Sequence, residues 1–287
     1  VILLDFWTYS CINCIRTLPY LNSWYEKYSD DGLVIIGVHT PEFEFEKKYE
    51  NVVAAVKDYG IKYPVVQDNE YKTWNAYQNK FWPRKYLIDI DGNIRYDHIG
   101  EGAYEETEKM IQELLREQAK KFNVETNEEI SKPKSAVDVD FRKIGTPELY
   151  LGYKFARVDL GNEEGFKPEQ TVDYKLPPSL VPNRVYLEGM WKSNPDYMEL
   201  VSDTGKIVLF YSAKDVNIVA GQNSVLSIFL GGNTIGECRG NDVVINVNVL
   251  VREQRLYNIV SDDDYNSRLL EISVEGKGFE IYTFTFG

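Results

Sequence analysis

Three cysteines and two histidines in 287 residues leave little material for metal chemistry. A structural zinc site takes four ligands, usually from two paired clusters. Beyond Cys11 and Cys14 only Cys238, His39 and His98 remain, so neither a metal nor any other cofactor is expected. Positive charge is also short. Against 45 acidic side chains stand 32 Lys and Arg, a net charge of −13, which argues against nucleic acid and against an anionic membrane surface, since both need clustered cations. No apolar run is long enough to span a bilayer, and no signal peptide is visible. Val1 stands directly at the start of an apolar strand pattern, so the chain is expected to continue upstream in a longer precursor.

What the chain has in quantity is apolar and aromatic surface, 43% and 14% of residues with 21 tyrosines, over a length sufficient for two domains. It also has one pair of closely spaced thiols. Cys11-Ile12-Asn13-Cys14 follows the apolar run Val1 to Trp7 and precedes a helical pattern that contains Pro19. Positions i and i+3 share one helix face, so the two sulfurs can reach bonding distance with little backbone movement. The open N–H groups and dipole of a helix start favour a thiolate at Cys11, the expected nucleophile. Cys14, one turn deeper, is the expected resolving thiol. A bridge closing so short a loop is a poor staple, which favours redox chemistry over a structural disulfide.

Periodicity organises the rest. Ile12, Ile15, Leu18, Leu21 and Trp24 mark a helix from Cys11 to about Tyr28, and Leu33 to Val38 reads as a second buried strand, parallel to the first across a β-α-β crossover. A helix is expected over Glu44 to Tyr59, a short extended piece at Pro64 to Val66, and a helix through Tyr71, Trp74 and Tyr77. Lys85 to Ile90 and Asn93 to Ile99 read as a hairpin with a type I′ turn at Asp91-Gly92, followed by an amphipathic helix from Tyr104 to Lys121. Residues 122–145 are charged and aperiodic, a linker. Seven short strand-like runs follow, at 206–213, 215–220, 225–230, 243–251, 255–260, 268–274 and 280–286. They predict an all-β antiparallel sandwich over 146–287 after an α/β domain over 1–121.

Asp5 to Trp7 ahead of the paired cysteines, then Pro19, resembles the active-site region of the thioredoxin superfamily. The added helix and strand resemble its TlpA and ResA branch. Together with Trp82 to Asp89, Gly100-Glu101-Gly102, Thr146 to Gly152, Trp191, Arg255-Leu256-Tyr257 and the terminal Tyr282 to Gly287, the likeness to the C-terminal region of the DipZ family covers nearly the whole chain. It implies a thioredoxin-like domain followed by a jelly-roll domain like those of carbohydrate-binding modules, both extracytoplasmic and tethered to a CcdA-type membrane electron donor. It also implies that Pro83 is cis beside the reactive sulfur, where it would present a backbone edge to a substrate polypeptide. Asp5, inside an apolar strand below the dithiol, is read as the proton acceptor for Cys14.

Trp82, Trp7 and Tyr9 are the expected substrate-contacting residues, and Trp191 and Tyr197, with Tyr153 and Phe155, are candidates for a sugar-binding face. Core packing competes with each aromatic assignment. His39 and His98 receive no role. The leading function is an extracytoplasmic protein thiol-disulfide oxidoreductase, working as a reductase on disulfide-bonded proteins. Two alternatives stand beside it: a thiol peroxidase, with Trp74 or Gln78 near the attacking cysteine, and a glycan or cell-envelope binding protein carrying a passive disulfide.

Overall fold

In the computed structural model the strand that leads to the cysteines, β1 (Ile2–Trp7), is the centre of a five-stranded sheet. The described residues are 1–123, 133, 139–245 and 247–287, and the chain divides into two units, Val1–Asp138 and Val139–Gly287. Much of the expected linker, 124–132 and 134–138, lies outside the described residues.

In the first unit β1 runs into α1 (Ile12–Tyr28), which returns the chain to β2 (Val34–His39), parallel to β1 and in register from Ile2↔Val34 to Trp7↔His39. After α2 (Tyr49–Asp58), β3 (Val65–Gln67) and α3 (Lys72–Ala76), the hairpin β4 (Arg84–Ile88) and β5 (Ile94–Ile99) completes the order β3-β2-β1-β4-β5, and α4 (Tyr104–Phe122) follows. Side chains alternate along β1. Leu4 and Phe6 join Val38, Trp74 and Tyr86 in one buried cluster, whereas Leu3, Asp5 and Trp7 face the opposite layer. Being central and covered on both faces, β1 is apolar almost throughout, and Asp5 is the exception that needs a reason.

Two local expectations change. The helix predicted from Glu44 is a 3-10 turn, Glu44–Lys47, separated from α2 by extended Lys48, because the Glu46 carboxylate turns back onto the backbone N–H groups of Glu42 and Phe43. The β4-β5 connection is not a type I′ turn, which needs positive φ at both central residues. Only Gly92 has it, at +86°, and the Asp89 side chain accepts the N–H groups of Asp91 and Asn93, widening the loop to five residues.

The second unit is antiparallel throughout its named strands, and the described strands form one eleven-stranded network around a single core. Runs expected as separate strands are continuous. Thr204–Gly221 and Arg255–Glu275 pair along most of their lengths. The predicted break at Lys214 is an irregularity in register between Ala213 and Asp215, where the N–H groups of Lys214 and Asp215 both donate to Gly287 O. Turn-like Asp262-Asp263-Asp264 stays in the strand because Asp263 and Asp264 face solvent and Arg268 holds Asp262 at 2.6 Å. The first half of Thr204–Gly221 pairs with Val185–Ser193 and the second with Glu280–Phe286, so one long strand serves both ends of the sandwich.

Trp191 does not lie on a sugar-binding surface. It is 0% exposed, edge-on to Phe279, and its indole N–H donates to Glu188 O at 3.0 Å. Tyr197 is half-buried against the Tyr282 ring, Tyr153 donates its hydroxyl to Glu169, and Phe155 stacks on Tyr150. Truncating Trp191→Ala should therefore cost the second unit about 3–5 kcal/mol, read as a lower urea midpoint with full-chain protein.

Candidate functional site

Where β1 ends, Thr8-Tyr9-Ser10 turns the chain into α1, and Cys11 is the residue that caps the helix, with φ −81° and ψ 116°. It was expected inside the first turn and stands one position before it. There its Sγ accepts the N–H of Cys14 at 3.4 Å, one of the donors a helix start leaves without a partner. Cys11 is partly exposed, and Cys14 is buried at 1%. Both are free thiols.

Burial pushes the Cys14 thiol well up; the Cys11 sulfur beside it and the Asp5 charge raise it further, opposed by the Thr8 backbone. The pair is thus asymmetric by position. One sulfur can meet a partner, while the other is held behind it and must lose a proton before it can act.

The Trp82-Pro83 peptide is cis, and Trp82 O lies 3.9 Å from Cys11 Sγ, accepting from the thiol. Trp82 is half-buried, its ring 4.2 Å from that of Trp74 and its indole N–H donating to Thr40 O at 2.9 Å. These contacts hold the segment with its carbonyl turned to the sulfur. Gly100 N donates to Pro83 O at 2.8 Å and fixes the other side.

Asp5 is 1% exposed, and burial raises its carboxyl to about 7, an effect limited by the Lys85 cation. Neither carboxyl oxygen has a hydrogen-bond partner among the described residues. A carboxyl titrating near neutrality beside a thiol that must ionise is suited to receive its proton.

Two expected surface residues are inside. Trp7 is 0% exposed, with His39 edge-on at 5.2 Å, because the last residue of a central strand is covered on both faces. Tyr9 is 4% exposed, stacked on His39 and edge-on to Phe45, and its carbonyl accepts the Tyr59 hydroxyl. Neither offers a ring to a substrate. Phe81, next to Trp82, is 49% exposed, and the adjacent pair Phe81-Trp82 was the available signal.

Lys85 and Glu46 went unnoticed in the sequence. Lys85 is fully buried, lies across the strand pair from Asp5, and donates to Gly100 O at 3.2 Å. Glu46 is also fully buried and bound to Ser10. Arg16 and Glu101 form a buried ion pair at 2.7 Å, and the same guanidinium donates to Asn13 Oδ1 between the cysteines at 2.9 Å. Burial keeps His39 neutral, its pKa lowered to about 3. Trp74, considered for a peroxidase site, belongs to the core cluster with Phe6, and Gln78 is exposed. No group of three or more His, Cys, Asp and Glu among the described residues could hold a metal ion.

The family model described as thioredoxin-like matches residues 1–94, and the one described as thioredoxin like C-terminal domain matches residues 146–287. The protein DipZ of Mycobacterium tuberculosis is 36% identical over 291 residues, which include 100% of this chain. The chain belongs to the DipZ family. It spans 39% of the length of that DipZ protein. Two further relatives match a shorter part of the chain. The thiol-disulfide oxidoreductase ResA of Bacillus cereus is 34% identical over 113 residues, 39% of this chain and 62% of ResA. The thiol-disulfide oxidoreductase YkuV of Bacillus subtilis is 27% identical over 115 residues, 40% of this chain and 77% of YkuV.

Proposed function

We propose that this DipZ-family chain is an extracytoplasmic thiol-disulfide oxidoreductase that reduces disulfide-bonded proteins through Cys11 and Cys14. The observation that carries this reading is the accessible Cys11 Sγ at the start of α1, 3.9 Å from the carbonyl before a cis proline, with the buried Cys14 N–H on its other side. The names of ResA and YkuV support the same chemistry.

Cys11, as thiolate, attacks one sulfur of a substrate disulfide; a new S–S bond forms and the substrate's second sulfur leaves and takes up a proton. The substrate chain lies along Trp82-Pro83, where the Trp82 carbonyl, relieved of the Cys11 thiol proton once the sulfur is a thiolate, can pair with its backbone. Cys14 then passes its proton to Asp5 and attacks Cys11 Sγ. The mixed disulfide breaks, the substrate leaves as a dithiol, and two electrons have moved from the pair to the substrate. A second dithiol must restore the pair, and a CcdA-type membrane donor fits the DipZ likeness. That likeness also supports membrane tethering, and no described helix is long and apolar enough to cross a membrane. Sugar binding is not part of the reading, because Trp191 is in the core and Tyr197 is half-buried.

The test is insulin reduction by the full chain with a dithiol as electron source, paired with the reduction potential against glutathione. Catalysed precipitation of the insulin B chain, with a potential near the reducing end of the roughly −270 to −120 mV range of the superfamily, is the expected result. A potential at the oxidising end reverses the direction, and failure to exchange disulfides at all removes the function.

A further inference from the structure

The segment that carries the cysteines into place is itself held by a carboxylate 36 residues away in sequence. Glu46 is 0% exposed. Its Oε1 accepts the Ser10 hydroxyl at 2.6 Å and the Ser10 N–H at 3.3 Å, and its Oε2 accepts the N–H groups of Glu42 at 2.5 Å and Phe43 at 3.0 Å. Four donors on one buried carboxylate match its acceptor capacity, and charge-assisted bonds of this kind are about twice as strong as neutral ones.

What Glu46 holds bears on the attacking sulfur. Thr8 O accepts the Cys11 N–H at 3.4 Å. Ser10, the residue before Cys11, is bound to the carboxylate through both its hydroxyl and its N–H, so the three-residue turn is anchored at the end that meets Cys11. From this geometry we infer that Glu46 is a positioning residue for thiol-disulfide exchange: it fixes the end of the Thr8-Tyr9-Ser10 turn so that Cys11 Sγ faces an incoming disulfide. The inference rests on the oxidoreductase reading above and adds to it a residue that touches neither substrate nor sulfur. A buried carboxylate used only to tie the loop at 42–46 to itself would need Glu42 and Phe43 alone; the two bonds to Ser10 are the ones that reach the redox turn.

The test uses the full chain in a Cys14→Ser background, so that only the first attack is read, with a small aromatic disulfide as probe so that protein docking plays no part. The parent rate is measured first. Glu46→Gln preserves shape but replaces one acceptor with a donor; it should slow the attack roughly tenfold or more, the order expected for a misplaced reacting group. Ser10→Ala, which removes one bond, should slow it by a smaller factor, and the double variant should be no slower than Glu46→Gln alone. Urea unfolding of each variant separates loss of rate from loss of fold. A folded Glu46→Gln chain reacting at the parent rate overturns the assignment. If Glu46→Gln does not fold, Ser10→Ala decides, with an unchanged rate overturning it and a slowed rate in a folded chain supporting it. A parent unreactive toward the disulfide sinks the oxidoreductase reading, a failure distinct from that of a variant beside a reactive parent.

Discussion

Cys14→Ser stops the exchange halfway and keeps its substrates. The first attack needs only Cys11, which remains partly exposed beside Trp82 O. The second needs a nucleophile behind it, and a serine hydroxyl at that buried position cannot displace the substrate thiolate. Mixed disulfides should therefore accumulate on Cys11, visible as mass additions that a reductant removes. Turnover on insulin should fall about a thousandfold or more, as expected when half of a two-step covalent mechanism is deleted. Cys11→Ser should lose turnover to the same extent and trap nothing, because Cys14 is 1% exposed and cannot reach a protein disulfide. Trapping through Cys14 in the Cys11→Ser chain would reverse the assignment of the two sulfurs.

Asp5→Asn is expected to slow the enzyme and stabilise the protein together. Burial raises the Asp5 carboxyl from its ordinary value of 3.8 to about 7 in the folded chain, because it penalises the charge more than Lys85 relieves it. The folded state therefore holds a proton that the unfolded state releases between those two values. Stability falls as pH rises from about 4 to about 7 and is level above, the deficit reaching about 4 kcal/mol at most. The carboxyl oxygens have no hydrogen-bond partner to lose. Asp5→Asn should accordingly raise the urea midpoint at pH 8 and leave it little changed near pH 3. Its cost falls on resolution of the mixed disulfide, where a missing proton acceptor slows the step about 100-fold. In the parent the resolution rate should climb with pH through about 7, and in the variant that rise should be absent. Equal urea midpoints for parent and variant at pH 8 would show that Asp5 carries no buried charge.

The legible parts of the molecule were those in which neighbours in sequence are neighbours in space. The Cys11 to Cys14 spacing, the strand and helix around it and the β-α-β crossover follow from periods of 2 and 3.6 residues, which are local properties. Asp5 was legible because a carboxyl inside an apolar strand is an anomaly before any partner is known. Even here the local reading erred where side chains overrule propensity. Glu46 turned a predicted helix start into a 3-10 turn, and Asp89 widened a two-residue hairpin turn into a loop.

From the order of residues alone came a dithiol at the head of a helix, an acid below it and a strand-rich second half, while the proline facing the dithiol came from the family resemblance. Only the tertiary structure decided which aromatic rings are inside. A pattern of period 2 assigns Trp7 and Trp191 to a face of a strand, but whether that face meets solvent depends on what another part of the chain lays over it. The same holds for Lys85 opposite Asp5 and for Glu46 bound to Ser10, contacts made across 80 and 36 residues. Burial and long-range pairing are properties of the assembled layers, and it is burial that turns these ordinary charged side chains into parts of a redox site.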